Sequence, residues 1–141
     1  MKYAKKMLVL MLIALPILAV AQMASTTKIV GDVPFPFMVG DKHVPAGVWT
    51  VERGGMNART LVIRNFDAKL GLFIPATPDT AKKASDRYAL VFHKYGDKAF
   101  LAGIKLAGDR MIYTIPAGRE ESELRAQNVT ATEEILLASA K

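Results

Sequence analysis

The sequence predicts an all-β fold, an antiparallel sandwich or small barrel of seven to eight short strands with one C-terminal helix. Three observations predict it. Short runs rich in Val, Ile, Phe and Tyr fill residues 28–116 and are broken by turn residues at roughly the 8–12-residue spacing of such folds. The composition then shifts after Pro116 to Glu, Arg and Ala. Ahead of both, Lys2, Lys5 and Lys6 precede an apolar run from Met7 to Val20 that closes on Ala19-Val20-Ala21. That is the charged, apolar and small-residue order of a secretory signal, too short for a membrane span of about 20 apolar residues. Cleavage is expected after Ala21, leaving one domain of residues 22–141 in the periplasm or outside the cell.

Composition narrows the function classes. Three of the 19 basic residues leave with the signal, so 16 face 13 acidic residues, a balance of +3. The remaining basic residues are scattered, and without a basic stripe no nucleic-acid partner is expected. There is no cysteine, which removes disulfides, thiol catalysis, cysteine metal sites and a lipid-anchoring cysteine. Stability must come from the core, for which a domain of this length suffices.

The elements follow in order. The run from Lys28 to Val39 carries Pro34 and Pro36, so it is expected at a sheet edge or broken by a bulge. Val44-Pro45-Ala46-Gly47 is a tight turn into a strand over Val48–Arg53. Thr60–Phe66 and Leu70–Ala76 form a hairpin around Asn65-Phe66-Asp67-Ala68, and Thr77–Asp86 reads as a polar loop. Tyr88–Tyr95 and Lys98–Leu106 form the clearest hairpin, with Gly96-Asp97 suited to a type II′ turn. Pairing Tyr95 with Lys98 sets His93 opposite Phe100, Val91 opposite Ala102 and Ala89 opposite Ile104. Both faces of that ribbon are then largely apolar, so the second face needs a cover: another sheet, the helix or a partner. Met111–Ile115 is the last core strand. Arg119–Gln127 has acids in its first turn, as a helix favours. Val129–Lys141 fits a short helix or a strand, and strand is preferred.

Two stretches carry a resemblance. Val33-Pro34-Phe35-Pro36-Phe37-Met38-Val39-Gly40 followed by Pro45-Ala46-Gly47-Val48-Trp49-Thr50-Val51 is similar to a pattern in an uncharacterised family of small secreted bacterial β-rich proteins. Leu90-Val91-Phe92-His93-Lys94-Tyr95-Gly96-Asp97 with Phe100-Leu101 resembles a second block of the same family. The resemblance implies a secreted β-rich domain and supplies no catalytic residues; Trp49 stands where tyrosine is commoner in that pattern.

The residues available for a site are few. His93, Tyr95 and Asp97 cluster at one hairpin tip, and His43 joins them only if the Pro45-Ala46-Gly47 turn folds against it. Zinc needs three or four convergent ligands, so no metal is expected, and His93 reads better as packed against Phe100. Ser25, Ser85, Ser122 and Ser139 fall in tails, loops or the helix, so no hydrolytic triad assembles. Glu120-Glu121 and Glu133-Glu134 read as solvated charge rather than paired catalytic carboxylates. With no glycine-rich phosphate loop and no cofactor motif, neither an enzyme nor a cofactor is expected. The expectation is a structural or protein-interaction module, self-associating or holding another protein. The competing reading is a binder of a small apolar ligand, with Trp49, His93, Tyr95 and Phe100 as the candidate surface. Convergence of these residues on an open cavity favours a ligand; a filled core or an exposed patch favours interaction.

Overall fold

The computed structural model describes residues 27–54 and 59–141; the expected signal segment and the cleavage expected after Ala21 lie outside the described residues. Among the described residues twelve strands form two sheets with a single helix, a sandwich rather than a closed barrel. The strands are β1 (Ile29–Val33), β2 (Phe37–Val39), β3 (Lys42–Val44), β4 (Gly47–Arg53), β5 (Thr60–Asn65) and β6 (Leu70–Pro75), then β7 (Thr77–Thr80), β8 (Ala89–Tyr95), β9 (Lys98–Lys105) and β10 (Met111–Thr114). Helix α1 (Arg119–Ala126) leads to β11 (Thr132–Leu137) and β12 (Ser139–Ala140). The first sheet runs β12-β1-β4-β5-β6; the second runs β11-β8-β9-β10-β7, with the β2–β3 pair attached to β9.

The strand count exceeds seven or eight because the chain changes sheets within single extended runs. Pro34 and Pro36 interrupt the first run, and β1 pairs with β4 in one sheet while β2 pairs in parallel with β9 in the other, Met38 opposite Phe100. A proline lacks the N–H a ladder needs, so the break falls where the ladder must stop anyway. Buried Ala76 makes the same crossing between β6 and β7, and Ala138 between β11 and β12. Thr77–Thr80 is therefore strand and not loop: it pairs with β10 despite Pro78, as an edge position allows. The C-terminal segment is strand, as preferred, and its two pieces close one side of the sandwich against β8 and β1.

The hairpin of β8 and β9 turns at Gly96, whose φ of 65° is the positive value a leading glycine supplies in a type II′ turn. The expected register holds from Tyr95↔Lys98 through Phe92↔Leu101 and then slips by one, giving Val91↔Gly103 and Ala89↔Lys105. A bulge between Val91 and Phe92 causes the slip. It moves Ile104 from the face of Phe100 to the face of Leu101, and so into the space between the sheets.

That space is filled by Phe37, Trp49 and Phe92, each at most 4% exposed, with Leu61, Ile63, Leu90 and Tyr113 around them. Phe37 meets Trp49 and Phe92 edge-on at centroid distances of 5.5 and 5.2 Å, the geometry that ring quadrupoles favour. The outer face of the second sheet carries a smaller cluster of Met38, Tyr95 and Phe100, onto which Leu124 of α1 packs. The helix is thus the cover that the apolar second face required at this end. Farther along the same face the covering stops, and Ile135 and Leu137 of β11 remain exposed.

Candidate functional site

Helix α1 is held by polar contacts to a degree its thin apolar stripe requires. Its N-terminal flank is Gly118, where an added Cβ would lie 2.5 Å from the backbone of Gly40 and 2.7 Å from Asp41 Oδ1. That contact lets Asp41 accept a hydrogen bond from the Arg119 N–H at 2.6 Å. A carboxylate from a distant turn thus satisfies one of the open donors of the first turn and opposes the positive end of the helix dipole. Gly47, in the other Pro-Ala-Gly triplet, has a φ of 142°, and an added Cβ there would meet the Asn65 amide at 2.9 Å. The repeated triplet therefore marks two close approaches of chain to chain.

Inside α1 the decisive residue is Glu121, 3% exposed. Its Oε1 accepts from the Tyr95 hydroxyl at 3.1 Å and from Arg125 Nη2 at 2.8 Å. His93 Nδ1 lies 2.9 Å from the same oxygen and 3.2 Å from Arg125 Nη2, so one tautomer donates to the carboxylate and the other accepts from the guanidinium. Arg125 Nε donates to the Tyr95 oxygen at 3.2 Å. The Arg125 guanidinium is held above its ordinary pKa chiefly by the bond to Tyr95, which outweighs the opposing effect of burial, and the Glu121 charge adds a smaller rise. Glu121 is thus not the solvated charge its sequence context implies. Alternation along β8 puts His93 and Tyr95 on one face, and the helix repeat puts Glu121 and Arg125 on one side, so two short-range rules meet in a four-residue network.

The four candidate surface residues do not share a site. Trp49 is 1% exposed between the sheets, its indole N–H donating to the Pro45 carbonyl at 3.1 Å. Phe100, also 1% exposed, packs edge-on against Tyr95 at 5.6 Å under α1. His93 and Tyr95 join Phe100 there, on the opposite side of the second sheet from Trp49. His43 does come near the hairpin tip: it lines an open groove of about 420 Å³ with Asp97, Lys98 and Glu120. Lys98 and Glu120 are paired across that groove at 2.5 Å, and Lys98 is raised above its ordinary pKa mainly by that hydrogen bond. Among the described residues no three His, Asp or Glu side chains are grouped to hold a metal ion. A second cleft, of about 270 Å³, opens at the end of the sandwich between Ile29, Val51 and Leu61 of the first sheet and Ile104 and Tyr113 of the second.

This arrangement fixes a helix on a sheet. The carboxylate, the phenol and the imidazole nitrogen facing them are all engaged with one another, and the side chains under them fill the space. No helix among the described residues is long and apolar enough to cross a membrane. Comparison of the chain with protein-family models, with curated proteins and with solved structures finds no match.

Proposed function

We propose that this chain is an exported, non-enzymatic structural or protein-interaction module working in the periplasm or outside the cell. One observation carries the reading: the aromatic residues expected to line a ligand site fill the interior, while large apolar side chains stand at the periphery. Trp49 and Phe100 are each 1% exposed, whereas Phe73, Leu137 and Ile135 are 76%, 57% and 46% exposed. Apolar groups placed outside a filled core gain free energy only when another surface covers them. The charged N-terminus and small-residue boundary support export, as does the resemblance to small secreted proteins. The protein that cells accumulate should begin at Gln22 by intact mass; a retained N-terminus overturns the export reading.

The competing reading is a carrier of a small apolar ligand, favoured by the cleft whose floor is Ile29, Val51, Leu61, Ile104 and Tyr113. Native mass spectrometry of the gently purified protein separates the two. Bare protein or protein oligomers are expected; a reproducible small adduct lost on denaturation establishes the carrier instead.

A further inference from the structure

We infer that strand β6 is the association edge of this protein and that its occupant is β6 of a second copy, paired antiparallel about Leu72. The inference rests on the interaction-module reading and names its partner. It starts from the open edges of the two sheets. Among the described residues, β12 is two residues long and β3 three, with Lys42 in it. Edge strand β7 carries Pro78 and Asp79, and β11 carries Glu133 and Glu134. Shortness, proline and charge are the devices that keep sheet edges from pairing. Strand β6, Leu-Gly-Leu-Phe-Ile-Pro, has six residues, no charge, and its proline only at the last position.

The register states which backbone groups face outward. Ala76 N–H donates to Arg59 C=O at 2.8 Å, and pairing continues Leu61↔Ile74 and Ile63↔Leu72. Residues 70, 72 and 74 therefore bond to β5, and the N–H and C=O groups of Gly71 and Phe73 point to the open side. Pro75 points there too and has no donor to leave unpaired.

Two side-chain facts within the monomer lack a reason. Phe73 is 76% exposed. Gly71 lies in mid-strand with ordinary backbone angles, and an added Cβ would meet nothing closer than Arg64 Cγ at 3.8 Å. A strand glycine that the monomer does not require marks a place where another group approaches. Antiparallel pairing about Leu72 supplies that group. Gly71 of each copy then faces Phe73 of the other in a hydrogen-bonded pair, giving four backbone hydrogen bonds at the centre. Each Phe73 ring lies over the glycine backbone opposite, the cross-strand aromatic–glycine pairing that stabilises sheet edges. Leu72 meets Leu72, Leu70 meets Ile74, and no like charges oppose one another. A two-fold interface requires this kind of self-complementary sequence. The first sheets of the two copies would join as one continuous sheet.

Sedimentation velocity of the protein as cells process it, across micromolar concentrations, tests this directly. A reversible monomer–dimer equilibrium is expected, with the amides of Gly71 and Phe73 exchanging more slowly as the dimer fills. Phe73→Lys should weaken association about tenfold or more while the monomer melts as before, since the side chain is already exposed. Gly71→Val separates the effects: it should leave monomer stability unchanged or raised, because glycine costs stability in a strand, yet weaken the dimer by displacing the ring. A monomer at every concentration overturns the inference, as does a dimer that both variants leave intact. Gly71 and Phe73 amides protected in a complex with a different protein would also overturn it, while sparing the interaction-module reading. A stoichiometric small-molecule adduct would strike at that reading itself.

Discussion

The two apolar clusters on either side of the second sheet are held together in different ways. Between the sheets, Phe37, Trp49 and Phe92 interlock with aliphatic neighbours, and the indole N–H is satisfied by the Pro45 carbonyl. On the outer face, Met38, Tyr95 and Phe100 are too few to retain a helix by apolar contact, and Glu121 draws α1 down through His93, Tyr95 and Arg125. The inner cluster tolerates loss of any one contact in proportion to the volume removed. The outer one depends on a single oxygen atom that several partners share. A buried carboxylate is costly unless its partners stay in place, so the helix should dock or release as a unit.

Phe92→Ala would test the inner cluster most severely. The ring is fully buried and touches Phe35 and Phe37 edge-on at 5.3 and 5.2 Å. Its loss should cost about 3–5 kcal/mol and lower the whole unfolding transition. Urea denaturation followed by the fluorescence of Trp49, the single tryptophan, gives the value. A loss below about 1 kcal/mol would mean that the sheets can collapse onto the gap, contrary to a close-packed interior.

Glu121→Gln comes next and addresses the outer cluster. The shape is kept and the charge removed, and Arg125, half exposed, can turn to water. The expected cost is about 1.5–3 kcal/mol, the range for hydrogen bonds to a charged group. The comparison makes the location of the effect more telling than its size. Amide exchange should quicken over Arg119–Ala126 while β4, β5 and β9 stay protected. A uniform change across both sheets would mean that the two clusters form one cooperative unit.

Gly118→Ala reaches the same helix from its other end. The added methyl collides with the Gly40 backbone, forcing apart the contact that brings Asp41 to the first turn. About 1–2 kcal/mol is expected, the usual cost of losing an N-terminal cap. Asp41→Asn, which keeps an acceptor in place, should cost less. Equal effects would show that the carboxylate cap carries the whole cost; an Asp41→Asn that costs nothing would show that the collision does.

The inner cluster was the more legible of the two in the sequence. Alternation within Ala89–Tyr95 and Lys98–Leu101 assigns faces from neighbours two residues apart, and the Gly96-Asp97 turn pins the register. It failed only past Phe92, because a bulge is one extra residue that no local pattern announces. The outer cluster rests on residues far apart in the chain. Glu121 looks like Glu120 beside it, and what distinguishes them is that one faces His93 and Tyr95 across 26 or more positions. The available signal was the pair of polar residues alternating on an otherwise apolar strand face, with a glutamate and an arginine four apart on the helix predicted over Arg119–Gln127. Pro-Ala-Gly recurs at residues 116–118, but three residues are too few to argue from, and that Gly118 is required by Gly40 and Asp41 rather than by its own turn is visible only in the fold.

The smallest effect belongs to the Lys98–Glu120 pair, which borders the outer cluster without being part of it. Both side chains reach solvent, and water screens such pairs until little of their attraction remains. Lys98 is nonetheless raised above its ordinary value of 10.5, chiefly by its hydrogen bond to Glu120. The sign follows from linkage: a raised lysine stabilises the fold while it is protonated in both states, below 10.5, and that contribution disappears as pH rises through its higher folded value. The difference in melting temperature between the protein and Lys98→Met should therefore be slight at neutral pH and vanish in strong alkali. Added salt should shrink it as well, which it should not do for Glu121→Gln, whose carboxylate is shielded from solvent. A Lys98→Met difference that survives salt and high pH would place this pair inside the polar network and extend the outer cluster to the groove beneath His43.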